Sequence, residues 1–172
     1  MSGTHRLFFA LWPTESLRAQ LIGRRANLIS DLPCHPVTPD NLHVTLAFIG
    51  SVPAHHLPAL IDVGRGVTLT PCELVFDQWA VWKQAGVLVL AASTTPPALQ
   101  QFVTGLHFCL TAAGFKLDTR PYQPHVTLAR KVRTLREGQI VPLHWLVRDF
   151  VLVESLSTTA GVQYRVLATF TS

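Results

Sequence analysis

The chain has few cysteines, which cross-link many small proteins, and few charged residues, which are common in disordered ones. Only 3 of its 172 residues are cysteine and 14% are charged, whereas 48% are hydrophobic. That apolar share is too high for a disordered chain. No apolar run approaches the roughly 20 residues of a membrane-spanning helix. The run 7–12 ends at a proline without a cleavage-site pattern, which argues against a signal peptide. The composition predicts one globular domain.

The three cysteines exclude the common cysteine-based sites. Cys34, Cys72 and Cys109 are odd in number and far apart, so they form neither a disulfide framework nor a C-x-x-C pair. We expect free thiols in a reducing cytoplasm, with no metal and no other cofactor. The net charge of +4 permits an anionic substrate without identifying one.

Strand-like and helix-like segments alternate along the chain. The strand-like runs are 5–12, 41–50, 73–82, 86–92, 123–130, 150–155 and 162–170. Helical patterns cover 14–33, more weakly 54–64, and most clearly the segment that begins at 95–97. Runs 73–82 and 86–92 are predicted to form a hairpin, as are the last two runs. Hairpins indicate antiparallel pairing, so the predicted class is α+β.

One short sequence occurs twice. The five residues HVTLA occupy 43–47 and again 125–129, which are 82 positions apart. This interval is close to half of the chain, and a repeat at that spacing predicts two related lobes rather than a solenoid.

Strand geometry assigns the repeated residues to two faces. Successive side chains point to opposite faces of a strand, so His43 and Thr45 share one face, about 6–7 Å apart, while Val44 packs on the other. The same alternation places His125 and Thr127 together. If the two lobes face each other, two imidazoles and two hydroxyls line the space between them.

These groups suit the chemistry of a phosphodiester. Two histidines can act as general base and general acid near neutral pH, and hydroxyls can donate hydrogen bonds to an anion held between them. A two-histidine metal site would need a third ligand, which neither motif offers. The chain has no serine nucleophile elbow, Walker loop or dinucleotide-binding glycine pattern.

These motifs resemble the paired H-x-T-x signature of the two-histidine (2H) phosphoesterase superfamily. The similarity is greater to its RNA 2′,3′-cyclic phosphodiesterases, also called 2′-5′ RNA ligases, and extends over 6–11, 41–50 and 124–130. The resemblance implies a bilobal fold with two pseudo-symmetric antiparallel sheets, helices outside and a central cleft. Residues 1–172 would form a single domain of two intertwined lobes, each with one motif. The implied reaction is hydrolysis of RNA 2′,3′-cyclic phosphodiester ends to 2′-phosphomonoesters.

The resemblance also implies roles for individual residues. His43 would be the proton donor and His125 the proton acceptor, although two near-identical motifs do not themselves decide between these roles. Thr45, Thr127 and Arg130 would bind the phosphate.

Two aromatic residues are candidates for stacking on bases. Phe9 and Phe48 lie in the strand-like runs beside the first motif, where an aromatic side chain more often packs in the core. The other six histidines have no matching context, and we expect them to be structural or superficial: His5, His35, His55, His56, His107 and His144.

Three alternative functions remain open at this point. They are a 2′-5′ RNA ligase acting on tRNA halves, a cyclic-nucleotide phosphodiesterase, and a non-catalytic RNA-binding module. The expected partner is RNA with a 2′,3′-cyclic phosphate end or a related nucleotide, with no membrane and no obligate protein partner.

Overall fold

A computed structural model describes residues 3–135 and 139–171. Within these residues the chain forms ten strands and three α-helices, with short 3₁₀ turns at Pro39–Asn41 and Ala54–His56. The helices are α1 (Glu15–Ile29), α2 (Leu57–Gly66) and α3 (Pro97–Ala112). The strands are β1 (Thr4–Leu11), β2 (His35–Pro36), β3 (Val44–Pro53), β4 (Cys72–Phe76), β5 (Gln78–Trp82), β6 (Val87–Ala91), β7 (His125–Arg130), β8 (Leu143–Val147), β9 (Asp149–Thr158) and β10 (Gly161–Thr171).

The helices begin where the local sequence predicts. The Thr14 hydroxyl accepts a hydrogen bond from the Leu17 amide at 3.3 Å and caps α1. Helix α3 starts with Pro97, whose missing amide hydrogen costs nothing in the first turn. Five apolar residues of α3 form one buried stripe: Leu99, Phe102, Val103, Leu106 and Leu110.

The main sheet consists of two halves that meet at one residue pair. Its order is β10-β9-β1-β3-β7-β6-β5, with β2 also paired to β7, and every pairing is antiparallel. Strands β3 and β7 are joined through Val44 and Val126, which are themselves 82 positions apart. We call the strands on the β3 side the first half-sheet and those on the β7 side the second half-sheet. The predicted α+β class is confirmed, and the two expected sheets are continuous through this pair.

The large hydrophobic core lies on one face of this sheet. It includes Val44, Leu46, Val126 and Leu128, together with the buried stripe of α3. We call this side the core face and the opposite side the motif face. A smaller apolar cluster lies on the motif face of each half-sheet: Phe8, Ala10, Val151 and Val153 in the first, and Val87, Val89 and Ala91 in the second.

One predicted strand is in fact two strands. The run 73–82 is divided at Asp77, whose carboxylate accepts hydrogen bonds from the Ser93 amide and hydroxyl. Strand β5 forms the predicted hairpin with β6, whereas β4 pairs with β8 in a separate two-stranded sheet. Strand β8 was not expected from the sequence. In the described part of the chain, no helix is long and apolar enough to cross a bilayer.

Candidate active site

The two sequence motifs meet at the junction of the half-sheets. Because β3 and β7 run antiparallel about the pair Val44–Val126, residues before one valine lie beside residues after the other. This places His43 on the side of Thr127, and Thr45 on the side of His125.

A second line of evidence places the motif side chains on the motif face. Thr45 is paired with Ala10, and His125 and Thr127 are paired with Ala91 and Val89, all three partners belonging to the motif-face clusters.

Both histidine rings are held in the same way. Nδ1 of His43 donates a hydrogen bond to the Asn41 carbonyl at 2.7 Å, and Nδ1 of His125 donates to the Gln123 carbonyl at 2.8 Å. Because a carbonyl can only accept, the hydrogen of each neutral ring is on Nδ1, and Nε2 is left as the acceptor. Each histidine thus uses the carbonyl two residues before it to present Nε2 for chemistry.

The surroundings of His43 are aromatic. Its ring centroid lies 4.9 Å from that of Phe8, 5.2 Å from Tyr164 and 5.9 Å from Trp12, which is stacked on it. Nε2 accepts a hydrogen bond from the Thr45 hydroxyl at 3.0 Å. Burial lowers the pKa of His43 to about 4; the Asn41 hydrogen bond opposes this shift, and the positive charges of His125 and Arg130 add to it.

The surroundings of His125 are more open. One ring, that of Trp82, lies 4.4 Å from it. Burial lowers the pKa of His125 as well, and Arg120 contributes by charge repulsion, while the Gln123 hydrogen bond opposes both. The charge of His125 is among the causes that lower the pKa of His43, and together with the Val44–Val126 pair this indicates that the two rings lie close to each other.

Arg130 reaches this site because its strand contains a β-bulge. Residues Leu88 and Val89 of β6 are paired with Ala129 and Thr127, so Leu128 is an extra residue in β7. A regular strand would send Arg130 to the core face with Val126. The bulge reverses the alternation, and Arg130 is instead paired with Val87 of the motif face, where it is exposed.

Phe48 occupies the equivalent position of the first half-sheet. Leu46 is an extra residue opposite Phe9 and Ala10, so Phe48 returns to the motif face and is paired with Phe8. Phe48 is 44% exposed, and the Arg6 guanidinium lies 4.8 Å from its ring centroid. Its ring is therefore partly exposed on the motif face.

The prediction for Phe9 is wrong. This side chain is 0% exposed and packs in the core against Phe150 and Phe170, with ring centroids 6.1 Å away in both cases. Phe9 is paired with Ala47, which is on the core face. It therefore has no surface to offer to a base.

Sequence reasoning missed the rings around the two histidines as parts of the site. Trp12, Trp82 and Tyr164 all come from segments outside the two motifs, so the repeat gave no signal for them. Among residues 3–135 and 139–171, no three His, Cys, Asp or Glu side chains converge as metal ligands.

Two histidines with equivalent backbone anchors, each followed by a threonine on a shared face, define a phosphoesterase of the two-histidine class. The chain belongs to the LigT-like phosphoesterase family. The sequence model of that family matches residues 11–89. Over 169 residues the chain is 34% identical to the RNA 2′,3′-cyclic phosphodiesterase of Escherichia coli, covering 95% of this chain and 94% of that protein.

Two further comparisons agree with this membership. The RNA 2′,3′-cyclic phosphodiesterase of Thermus thermophilus is 29% identical over 186 residues, covering 96% of this chain and 89% of that protein. The crystal structure of E. coli LigT complexed with 3′-AMP superposes with a TM-score of 0.87 at 29% identity, over 98% of each chain.

Proposed function

We propose that this phosphoesterase hydrolyses RNA 2′,3′-cyclic phosphate ends to 2′-phosphomonoesters, using His43 and His125 as its acid–base pair and no metal. The observation that carries the proposal is the matched anchoring of the two rings, which leaves both Nε2 atoms for proton transfer in one site. The name of the E. coli relative, which is similar over nearly the whole chain, supports the choice of substrate.

The reaction needs two proton transfers and no covalent intermediate. A water oxygen attacks phosphorus while its proton passes to Nε2 of one histidine. The bond between phosphorus and the 3′ oxygen breaks, and Nε2–H of the other histidine protonates that oxygen. One water is consumed, and the product carries the phosphate on its 2′ oxygen. Each histidine contributes on the order of 10²–10⁴-fold to the rate.

Three polar side chains of the motif face are proposed to bind the phosphate. The hydroxyls of Thr45 and Thr127 donate to its oxygens, and the guanidinium of Arg130 compensates its charge. In the absence of substrate the Thr45 hydroxyl donates to His43, so it changes partner when the anion arrives. The exposed ring of Phe48 stacks on the terminal base.

The two histidine roles follow from the family resemblance, with His43 as donor and His125 as acceptor. A pKa of about 4 leaves His43 neutral at pH 7 in the free protein, which suits an acceptor. The donor role therefore requires the negative charge of the bound phosphate to stabilise the imidazolium of His43 and so to raise its pKa, which burial lowers. The reverse polarity is the second candidate, and the low pKa of His43 favours it.

The proposed cellular setting is the cytoplasm, with RNA as the partner. It is supported by the three cysteines, all of which are free thiols in the structure.

Product analysis tests the function directly. An RNA oligonucleotide with a 2′,3′-cyclic phosphate end is incubated with the protein in the presence of EDTA, and its end is identified by mass spectrometry and phosphatase sensitivity. We expect a 2′-monophosphate at an undiminished rate. A 3′-monophosphate would contradict the assigned leaving oxygen, and loss of activity in EDTA with recovery by zinc would contradict the metal-free mechanism.

The same assay separates the alternatives. A second RNA with a 5′-hydroxyl end is added, and a 2′-5′ linked product at higher yield than the 2′-monophosphate would favour the ligase. Hydrolysis of nucleoside 2′,3′-cyclic phosphates with no reaction of the oligonucleotide would favour a nucleotide phosphodiesterase. Binding of the RNA without any product between pH 5 and 9 would favour a binding module.

A further inference from the structure

In each motif strand, a helix side chain donates a hydrogen bond to the backbone carbonyl of the extra residue at the bulge. Leu46 in β3 and Leu128 in β7 are extra residues that each follow a motif threonine directly, and β3 has a second extra residue, Ile49, beyond Phe48. A bulged residue leaves the regular hydrogen-bonding ladder, so its backbone groups need other partners. In both strands a side chain from a helix donates to the carbonyl of the extra residue, and the Leu128 carbonyl also accepts a hydrogen bond from the Val37 amide at 2.9 Å.

The two helix donors occupy equivalent positions. Nε2 of His107 in α3 donates to the Leu46 carbonyl at 2.9 Å. Nη1 of Arg25 in α1 donates to the Leu128 carbonyl at 3.3 Å and also to the carbonyl of Val37. Residues 25 and 107 are 82 positions apart, the same interval that separates the two motifs.

Burying the charged side chain of Arg25 costs free energy of folding. It is 8% exposed, and burial lowers the pKa of its guanidinium. A buried charge destabilises the fold unless backbone or side-chain acceptors surround it, and an apolar residue is often the more stable choice at such a position. The position of this guanidinium between two carbonyls is therefore better explained by its effect on the backbone geometry of the bulge than by a contribution to stability.

Each bulge determines the face of the sheet to which the side chain two positions beyond it points. Side chains alternate with a period of two, so one extra residue decides which face the rest of the strand presents. Without the bulge, Arg130 and Phe48 would turn away from the motif face. With it, they are paired with Val87 and Phe8 of that face.

We propose that Arg25 and His107 are positioning residues, each holding the bulge of one motif strand so that Arg130 and Phe48, respectively, face the substrate. This inference rests on the proposed function, in which Arg130 binds phosphate and Phe48 stacks on the base. It assigns the two helices separate roles: α1 controls the contact with phosphate, and α3 controls the contact with the base. It also revises the expectation that His107 has no part in the site.

Paired substitutions test this assignment. Arg25→Met and His107→Leu remove the donors, whereas Arg25→Lys and His107→Gln keep one. Arg24→Met is the matched control on α1, since Arg24 also donates to backbone carbonyls, those of Val141 and Pro142, away from the motif strands. Hydrolysis of a cyclic-phosphate RNA is measured for each variant alone and combined with Arg130→Ala or Phe48→Ala.

The expected pattern is selective coupling. Arg25→Met raises KM roughly 10-fold or more, as the loss of a charged contact with phosphate would, with a smaller change in kcat. It adds little in the Arg130→Ala background and its full effect in the Phe48→Ala background. His107→Leu behaves in the opposite way. The Lys and Gln variants recover most of the loss, and Arg24→Met leaves KM unchanged.

Two results would overturn the inference. One is that each loss multiplies fully with both Arg130→Ala and Phe48→Ala, and the other is that Arg24→Met raises KM as much as Arg25→Met. If Arg25→Met does not fold, the His107 series decides alone, because His107 is only half-buried. An inactive wild-type protein would instead refute the proposed function, so the two failures are distinguishable.

Discussion

The two half-sheets share a backbone plan and differ in what surrounds it. Each has a histidine anchored to the carbonyl two residues before it, a threonine two residues after it, and a bulge directly behind that threonine. His43 nevertheless lies among three aromatic rings, whereas the ring of Trp82 is the one recorded beside His125 in the described part of the chain. The duplicated frame anchors the two rings alike, and burial lowers the pKa of both, to about 4 for His43.

The position behind each bulge shows the same divergence. The second half-sheet has the cation Arg130 there, and the first has the open ring of Phe48. An RNA end is asymmetric in the same sense, with an anionic phosphate and an aromatic base. A pseudo-symmetric frame with unlike side chains at equivalent positions can therefore bind an asymmetric substrate in one orientation.

The largest expected effect concerns the two histidines. His43→Ala and His125→Ala should each lower kcat/KM by about 10²–10⁴-fold, since each removes one proton transfer. The halves are then distinguished with a cyclic substrate in which sulphur replaces the bridging 3′ oxygen. A thiolate leaves without a proton, so the variant that lacks the donor should recover most of its rate. Steady-state kinetics measure both.

The recovering variant decides the polarity. Recovery of His43→Ala supports the assignment of His43 as donor, and recovery of His125→Ala supports the reverse. Equal, undiminished losses on the sulphur substrate would mean that neither imidazole protonates the leaving group, which contradicts the mechanism in either polarity.

The second prediction concerns stability against pH. The pKa of His43 is about 4 in the folded protein and near 6.5 in an unfolded chain, so the unfolded state binds more protons between these values. Acidification from pH 6.5 to 4 should therefore destabilise the fold, by at most about 3 kcal/mol from this residue. His43→Gln should remove that dependence. Urea unfolding at several pH values measures it.

Comparison with the parent protein isolates His43 in that experiment. Glu154, which is held by His5 and Arg165, also loses stabilisation in acid because its pKa is lowered, but its contribution cancels between parent and variant. The matched variant His125→Gln should flatten the profile less, because His125 is in the more open environment. An unchanged slope for His43→Gln would contradict the low pKa of His43.

The sequence predicted those features of the fold that depend on local repeats and on apolar periodicity. The repeat located both motifs, and apolar periodicity located the helices and most strands. Apolar periodicity did not predict the break at Asp77, because a continuous β-like run does not reveal that the chain passes from one sheet to another. It also missed β8, whose alternating burial over five residues is too short a pattern to stand out without its partner β4.

The side chains of the site were predictable only as far as regular alternation holds. Thr45 and Thr127 precede the bulges and lie on the expected face. Arg130 lies beyond a bulge, and regular alternation would have placed it on the core face. Phe9 and Phe48 could not be told apart from composition, because register with β3 determines that one is buried and the other exposed. An interval of 82 applied to polar helix residues selects Arg25 with His107 but also Arg18 with Gln100, so the sequence alone would not have identified the pair.

The third prediction separates the phosphate side from the base side. Arg130→Ala should lower kcat/KM by about 10–100-fold through loss of a charged contact. Phe48→Ala should lower it by about 5–100-fold through loss of stacking. A ribose 2′,3′-cyclic phosphate without a base distinguishes them: Arg130→Ala should remain impaired on it, and Phe48→Ala should equal the parent protein. Impairment of Phe48→Ala on the substrate without a base would show that Phe48 does not act by stacking.

The smallest expected effect concerns the threonines. Thr45→Val and Thr127→Val each remove a hydroxyl with little change in shape, and should lower kcat/KM about 2–10-fold through weaker phosphate binding. Their effects on the histidines differ. The Thr45 hydroxyl donates to Nε2 of His43 and stabilises its neutral form, so Thr45→Val should raise the pKa of His43 above about 4. Thr127→Val should leave that pKa unchanged. NMR titration of the imidazole measures the difference, and equal pKa values in the two variants would contradict the hydrogen bond between Thr45 and His43.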